Sequence, residues 1–292
     1  LPKYDDEVPL HAVKLALARY RPVLQRADEL GGPAVLESCR RIADIPHAIA
    51  AVDTALWERA AVREGRPVAE LLTERAAWSV PVNATIGAED RAGAAAAAAE
   101  AARQGFRCVK VKVGIGDDAG RIAAVRAAIG PDVALRVDAN GAWTVEQAIA
   151  AIGTFAPAGL ELVEEPVHGA RELAQVRRAV PVRIAMDETA SEPGALASGS
   201  TDAVALTLGR CGGISGLLAA AELVRATGAE PYVTSALDGP IGVAAALHAA
   251  AALGGGRDML ACGLATLPLF EGLERVAPVD DGAIAVPDGP GL

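Results

Sequence analysis

Three short apolar runs end in a carboxylate: VALRVD on Asp138, LELVE on Glu164 and VRIAMD on Asp187, 26 residues from the first to the second and 23 from the second to the third. Each interval is one strand plus one helix long, so parallel strands would bring all three acids to one end of a sheet. Bare carboxylates that close repel one another. A hard divalent cation is their natural partner, with Mg²⁺ the expected ion and water and substrate completing its shell. Taken singly, each acid reads as readily as a helix N-cap or first-turn acid; it is the three in register that favour the cation.

A second constellation is Val109-Lys110-Val111-Lys112-Val113. Strand residues two apart share a face, so the valines are predicted to meet helices and both lysines to point inward, where an unpaired ammonium is costly. The alternative is a surface strand with its lysines in solvent. A lysine working as a base near neutrality needs its pKa lowered from about 10.4, by roughly three units or about 4 kcal/mol. A second lysine about 7 Å away would contribute roughly 2 kcal/mol of repulsion at an effective dielectric near 20, and a nearby dication adds to it. The arrangement can therefore produce its own base.

The elements that must position these groups recur about every 25 residues from residue 79 onward. A β-branched run, a polar turn and an Ala/Leu-rich stretch succeed one another, with strands expected at SVPVNA (79–84), CVKVKV (108–113), VALRVD (133–138), LELVEE (160–165), VRIAMD (182–187), AVALTL (203–208), PYVTSA (231–236) and, weakly, DMLACG (258–263). Helices are expected between them, for example over 117–130, 144–155, 214–228 and 241–253. Eight such strands predict a parallel β/α barrel. An open doubly wound sheet would carry a Gly-rich phosphate turn after its first strand, and NATIGAED (83–90) is no GxGxxG loop. Residues 1–78 read as helical, with helices over 11–30 and 45–65, and 272–292 as a Pro/Gly/Asp-rich tail with one strand-like run.

Composition narrows the partners. With 27 Lys+Arg against 37 Asp+Glu, a net charge of −10, the chain has no basic stripe for nucleic acid and disfavours anionic membranes. Only 3% of it is aromatic, so its core must be Ala, Val, Leu and Ile. The most apolar stretch, 240–253, is too short for the roughly 20 residues of a membrane span. Cys39, Cys108, Cys211 and Cys262 form no CxxC pair, which predicts neither zinc nor disulfides and a cytoplasmic setting.

KVKVG (110–114), RVDANGAW (136–143), VEEP (163–166), AMDE (185–188) and LTLGRCGG (206–213) together resemble the muconate-lactonizing-enzyme branch of the enolase superfamily, over essentially the whole chain. The resemblance implies an α/β fold: a TIM-like (β/α)7β barrel over 79–271 carrying the active site, a capping domain whose helical part is 1–78, and a segment 272–292 returning to that domain. It implies Mg²⁺-dependent abstraction of the proton α to a carboxylate. Asp138, Glu164 and Asp187 match the metal ligands and Lys112 the catalytic base. Lys110 matches its partner lysine, Asn140 the Asn behind the ligands and Glu188 the acid after the third ligand.

Two departures stand out. The family pattern LKPGRVGG reads LTLGRCGG here, so Thr207 occupies the place of the second acid/base lysine. Racemisation needs groups on both faces of the enolate, whereas a syn elimination can use one lysine. Arg210 is no obvious substitute, because the pattern can carry Arg alongside that lysine. The family also begins with a three-stranded sheet and a mobile specificity loop, and LPKYDDEVP resembles the segment that comes after them; either the sequence is part of a longer chain or the capping domain lacks its first sheet and lid.

Residues 235–253 and ACGLATL (261–267) resemble o-succinylbenzoate synthases. CGLAT is not the DxD-type signature of dipeptide epimerases, and Ser235 stands where mandelate racemases place a His. His248 reads as a core histidine rather than a base. The expected function is a metal-dependent lyase or isomerase acting on a small carboxylate, with o-succinylbenzoate synthase-like syn dehydration leading. A muconate cycloisomerase-like or other acid isomerase or dehydratase, or a metal-binding homologue silenced by Thr207, are the alternatives. Barrels of this kind often associate, and no stretch identifies an interface.

Overall fold

The structure is a computed structural model that describes residues 8–87, 89–254 and 259–292. The described residues before Ser79 carry helices α1 (Leu10–Leu24), α2 (Ala27–Leu30), α3 (Gly32–Ile42), α4 (Pro46–Glu64) and α5 (Val68–Leu72). The helix expected over 11–30 is interrupted between Leu24 and Ala27, and α3 was not anticipated. Its apolar signal is diluted by Glu37, Arg40 and Arg41, yet Val35, Leu36 and Cys39 recur at helical spacing and close a core with Ala16, Tyr20, Ile49 and Val52.

Strands and helices then alternate: β1 (Ser79–Pro81), β2 (Ala84–Ile86), α6 (Arg91–Arg103), β3 (Cys108–Lys112), α7 (Asp118–Ile129), β4 (Ala134–Asp138), α8 (Val145–Phe155), β5 (Leu160–Glu164), α9 (Ala170–Ala179) and β6 (Arg183–Met186). Two 3-10 turns lead to β7 (Ala203–Thr207), α10 (Leu208–Cys211), α11 (Ile214–Ala226), β8 (Glu230–Thr234), α12 (Pro240–Ala252), β9 (Val279–Asp280) and β10 (Ala283–Ala285). Strands β2 to β8 form one parallel sheet in chain order. Parallel bridges from Val82 to Cys262 and from Thr234 to Gly263 join its two edges. Val109 and Val111 are fully buried in the apolar core with Ile122 and Val125 of α7.

Both ends of the barrel reading need correction. The first expected strand splits: Ser79–Pro81 pairs antiparallel with β10, which pairs with β9, and the edge strand of the parallel sheet is Ala84–Ile86, within NATIGAED (83–90). Pro81 has no N–H to give a ladder. Its carbonyl accepts from Cys262 N at 2.7 Å while Val82 N donates to Gly282 O at 2.8 Å, so the chain changes sheets there. The expected eighth strand begins at Asp258, outside the described residues, and among its described residues bridges form at Cys262 and Gly263.

The C-terminal residues lie against the helical region: Gly291 O accepts from Val68 N at 2.9 Å and Leu292 N donates to Glu58 at 2.7 Å. Among the described residues no helix is long and apolar enough to cross a membrane.

Candidate active site

Strand register sets Lys112, Asp138 and Glu164 abreast on β3, β4 and β5. Lys110 Nζ donates to Asp138 Oδ2 at 3.0 Å and to Glu164 Oε1 at 2.8 Å. Lys112 Nζ donates to the same Asp138 oxygen at 2.6 Å and to Asn140 Oδ1 at 2.9 Å. Asn140 passes the network on, its Nδ2 donating to Glu188 Oε1 at 2.9 Å and its backbone N–H to Asp138 Oδ1 at 3.0 Å. Both lysines thus point into the sheet's concave interior, as the valine stripe requires. Six of the anticipated residues form one continuous network.

Asp187 comes directly after β6 and pairs with Arg210, whose Nη2 also donates to Thr207 Oγ1 at 2.7 Å. Ser235 holds a turn by accepting from Asp238 N at 3.0 Å. His248 is remote from these groups, buried in α12, where its Nδ1 accepts from Ala69 N at 3.1 Å.

Three participants were not singled out in the sequence. Tyr232 donates its hydroxyl to Glu164 Oε2 at 2.7 Å. Glu165, buried with a φ of 37°, accepts from Asp187 N at 2.7 Å, Thr189 N at 3.0 Å and the Thr189 hydroxyl, and faces His168 Nδ1 at 3.0 Å. It fixes the backbone that carries Asp187. Arg136, fully buried on β4, pairs with Glu161.

Burial pushes Glu164 up to about 7, with Asp138 adding to the shift. Burial likewise raises Asp187 to about 7 against the opposing charge of Arg210. Asp138 is also buried, but the Lys110 and Lys112 ammonium groups hold it well below the usual carboxylate range. Burial alone would lower both lysines, yet both are raised, Lys110 by Asp138 and Glu164 and Lys112 chiefly by Asp138. The repulsion expected between the two lysines is thus not the larger effect on Lys112. Repulsion from Lys110 does act on Lys112, but a carboxylate at hydrogen-bond distance outweighs it.

Five carboxylates, Asp138, Glu164, Glu165, Asp187 and Glu188, stand against the cations of Lys110, Lys112 and Arg210. An all-oxygen donor set of this kind suits a hard divalent ion. Among the described residues no three His, Cys, Asp or Glu side chains converge as an ion-holding cluster. Lys110 lies between Asp138 and Glu164, and Arg210 engages Asp187, so the charge of these carboxylates is met here by side-chain cations. The donor chemistry fits, and binding requires Lys110 and Arg210 to give way.

A parallel β/α sheet with acids and lysines gathered at the C-terminal ends of adjacent strands is the architecture of a β/α-barrel enzyme. Residues 93–292 match the enolase C-terminal domain-like family, and the chain belongs to it. It is 31% identical to muconate cycloisomerase 1-1 of Acinetobacter lwoffii, over 99% of this chain and 79% of that protein. It is 42% identical to an o-succinylbenzoate synthase of Mycobacterium bovis, over 71% of this chain and 64% of that protein. A solved dipeptide epimerase from Enterococcus faecalis V583, complexed with Mg and the dipeptide L-Leu-L-Tyr, matches with a TM-score of 0.84 at 26% identity, over 98% of this chain and 83% of that one. The chain is therefore an enolase-superfamily enzyme, with isomerase and lyase relatives.

Proposed function

We propose that this enzyme abstracts the proton α to the carboxylate of a small acid, with o-succinylbenzoate synthase-like syn dehydration as its reaction. The observation that carries the reading is the pair of interior lysines hydrogen-bonded into strand-end carboxylates, with Asn140 linking Lys112 to Glu188. Asp138, Glu164 and Asp187 would hold Mg²⁺, which when bound supplies positive charge to the substrate carboxylate and so acidifies its α-proton.

Lys112 Nζ takes that proton. The C–H electron pair forms the new double bond as the β-hydroxyl leaves, and the Lys112 ammonium returns the proton to it, so that one water is released from one face. Lys112 becomes a base once Asp138 Oδ2 is otherwise engaged, since that carboxylate is what raises its pKa. Lys110, buried and charged, stabilises the negative charge that develops on the substrate carboxylate. Arg210, engaged with Asp187 and Thr207, offers the other face no base, because a guanidinium keeps its proton in proteins. This supports a one-base elimination over racemisation.

Muconate cycloisomerase-like chemistry is the second reading, supported by a similarity that spans 99% of the chain. The acidic charge and four free cysteines fit a cytoplasmic enzyme of small carboxylates.

Dehydration of the o-succinylbenzoate precursor, with Mg²⁺ and with EDTA, is the test, run beside Lys112→Ala. Metal-dependent turnover lost in the variant is expected. Solvent-deuterium exchange at the α-carbon that persists in Lys112→Ala would refute the base assignment. Mg²⁺-dependent thermal stabilisation without exchange into any α-acid would instead mark a homologue silenced at Thr207.

A further inference from the structure

The two oxygens of Glu164 are claimed by different groups. Oε1 accepts from Lys110 Nζ at 2.8 Å, and Oε2 from the Tyr232 hydroxyl at 2.7 Å. Glu164 and Tyr232 are 0% and 1% exposed, so no solvent competes for that second bond. A carboxylate gripped at one oxygen has lost its freedom to rotate, and the other oxygen has a fixed direction.

Tyr232 is itself held from below. The guanidinium carbon of Arg136 lies 5.2 Å from the centroid of its ring. Arg136 pairs with Glu161 through Nε and donates from Nη1 to Ala261 O at 2.6 Å, next to the residues that close the sheet. Its Nη2 is buried with no hydrogen-bond partner, leaving the tyrosine ring as a face for its charge. A cation against the π-face draws electron density from the ring and strengthens the phenol O–H as a donor.

We propose that Tyr232 is a positioning residue: by taking Oε2 of Glu164 it aims Oε1 into the site, and Arg136, anchored to the closing segment, supports its ring. This rests on the reading of Glu164 as a Mg²⁺ ligand. The role is one of orientation, since Tyr232 is bonded to Glu164 and not to the reacting groups.

The test is Mg²⁺ affinity, measured by calorimetry and by the metal-induced rise in melting temperature, on wild type, Tyr232→Phe, Tyr20→Phe and Glu164→Gln. Phe keeps the ring over Arg136 and removes only the hydroxyl. Its Mg²⁺ dissociation constant is expected to rise about 10- to 100-fold, the usual effect of losing a partner behind a metal ligand. Tyr20→Phe, which removes a buried hydroxyl donating to Ala43 O in the helical core, should leave Mg²⁺ affinity unchanged.

Wild-type affinity in Tyr232→Phe, with binding lost in Glu164→Gln, overturns the positioning role and leaves the metal reading intact. Wild type that binds no Mg²⁺, or Glu164→Gln that binds as tightly as wild type, overturns the ligand assignment and the inference with it. Should Tyr232→Phe fail to fold, wild type still decides. Mg²⁺ titration is expected to perturb the near-ultraviolet tyrosine spectrum, and an unperturbed spectrum on binding counts against the proposal.

Discussion

His248 should make this fold sensitive to mild acid, with a magnitude set by its surroundings. It has no exposed surface, its Nδ1 accepts from Ala69 N at 3.1 Å in the first turn of α5, and its Nε2 is buried without a partner. Burial lowers its pKa from 6.5 to about 4. A proton on Nδ1 would also set two donors face to face at the start of a helix. The neutral imidazole is therefore the folded form, while the unfolded chain takes up a proton at its ordinary pKa. The resulting stability is complete above about pH 6.5 and is lost as pH falls, until the folded-state value near 4 is passed. Between about pH 7.5 and about pH 5 the loss sums to about 2 kcal/mol. His248→Asn places Oδ1 where Nδ1 accepts and does not titrate, so urea unfolding of both proteins at the two pH values isolates the effect. Glu164 and Asp187, raised to about 7, act with the opposite sign but equally in both proteins. Wild type should lose about 2 kcal/mol more than the variant on acidification; parallel losses, within about 0.5 kcal/mol, would refute the argument.

Asp53 of α4 is buried and accepts from Ser215 N at 3.0 Å, capping α11 from outside the barrel, so Asp53→Ala should cost about 1–2 kcal/mol in urea unfolding and Asp53→Asn much less. Gly213 has a φ of 102°, and a Cβ there would lie 2.5 Å from Asp53 Oδ2; Gly213→Ala should lower stability by about 2 kcal/mol or more, and a melting temperature equal to wild type would contradict that geometry. Glu165→Gln turns an acceptor of several donors into one that sets its own N–H groups against them, for a loss of about 2 kcal/mol. It should also shrink the Mg²⁺-induced melting shift by loosening the backbone at Asp187, and a full-sized shift would show that Glu165 does not act there.

The parallel strands were legible because alternation marks them: VKVKV and the three acid-terminated runs carry both the strand period and the spacing of one β/α unit. The ends of the sheet were not, since strand pairing there depends on distant chain. Pro81 diverts the first strand to β10, and the closing pairs lie in a segment with little β character of its own. Lys110, Lys112, Asp138, Glu164, Asn140 and Glu188 could be placed together from motif and register. Their charge states could not. Whether a lysine is raised or lowered depends on the ångström separation of its partners, which a spacing rule does not contain. Tyr232 and Arg136 were passed over for a similar reason, their significance lying in contacts with residues on other strands.

The second face of the site shows how a change of one residue type is absorbed by its neighbours. The turn Leu208–Cys211 is pressed against α4, where a Cβ at Gly209 would come within 2.9 Å of His47, and Trp57 Nε1 donates to Ser215 Oγ at 2.9 Å just beyond it. The helical region thereby fixes where Arg210 stands. Thr207 is short enough to leave its hydroxyl within reach of that guanidinium, which bonds it and Asp187 together. A lysine at 207 would bring a second cation toward Asp187 and a possible base to this face. With threonine the face presents a charge that keeps its proton, bonded to Thr207 and paired with Asp187. Thr207 and Arg210 are thus linked through one hydrogen bond, and a guanidinium that keeps its proton leaves the proposed proton transfer to Lys112.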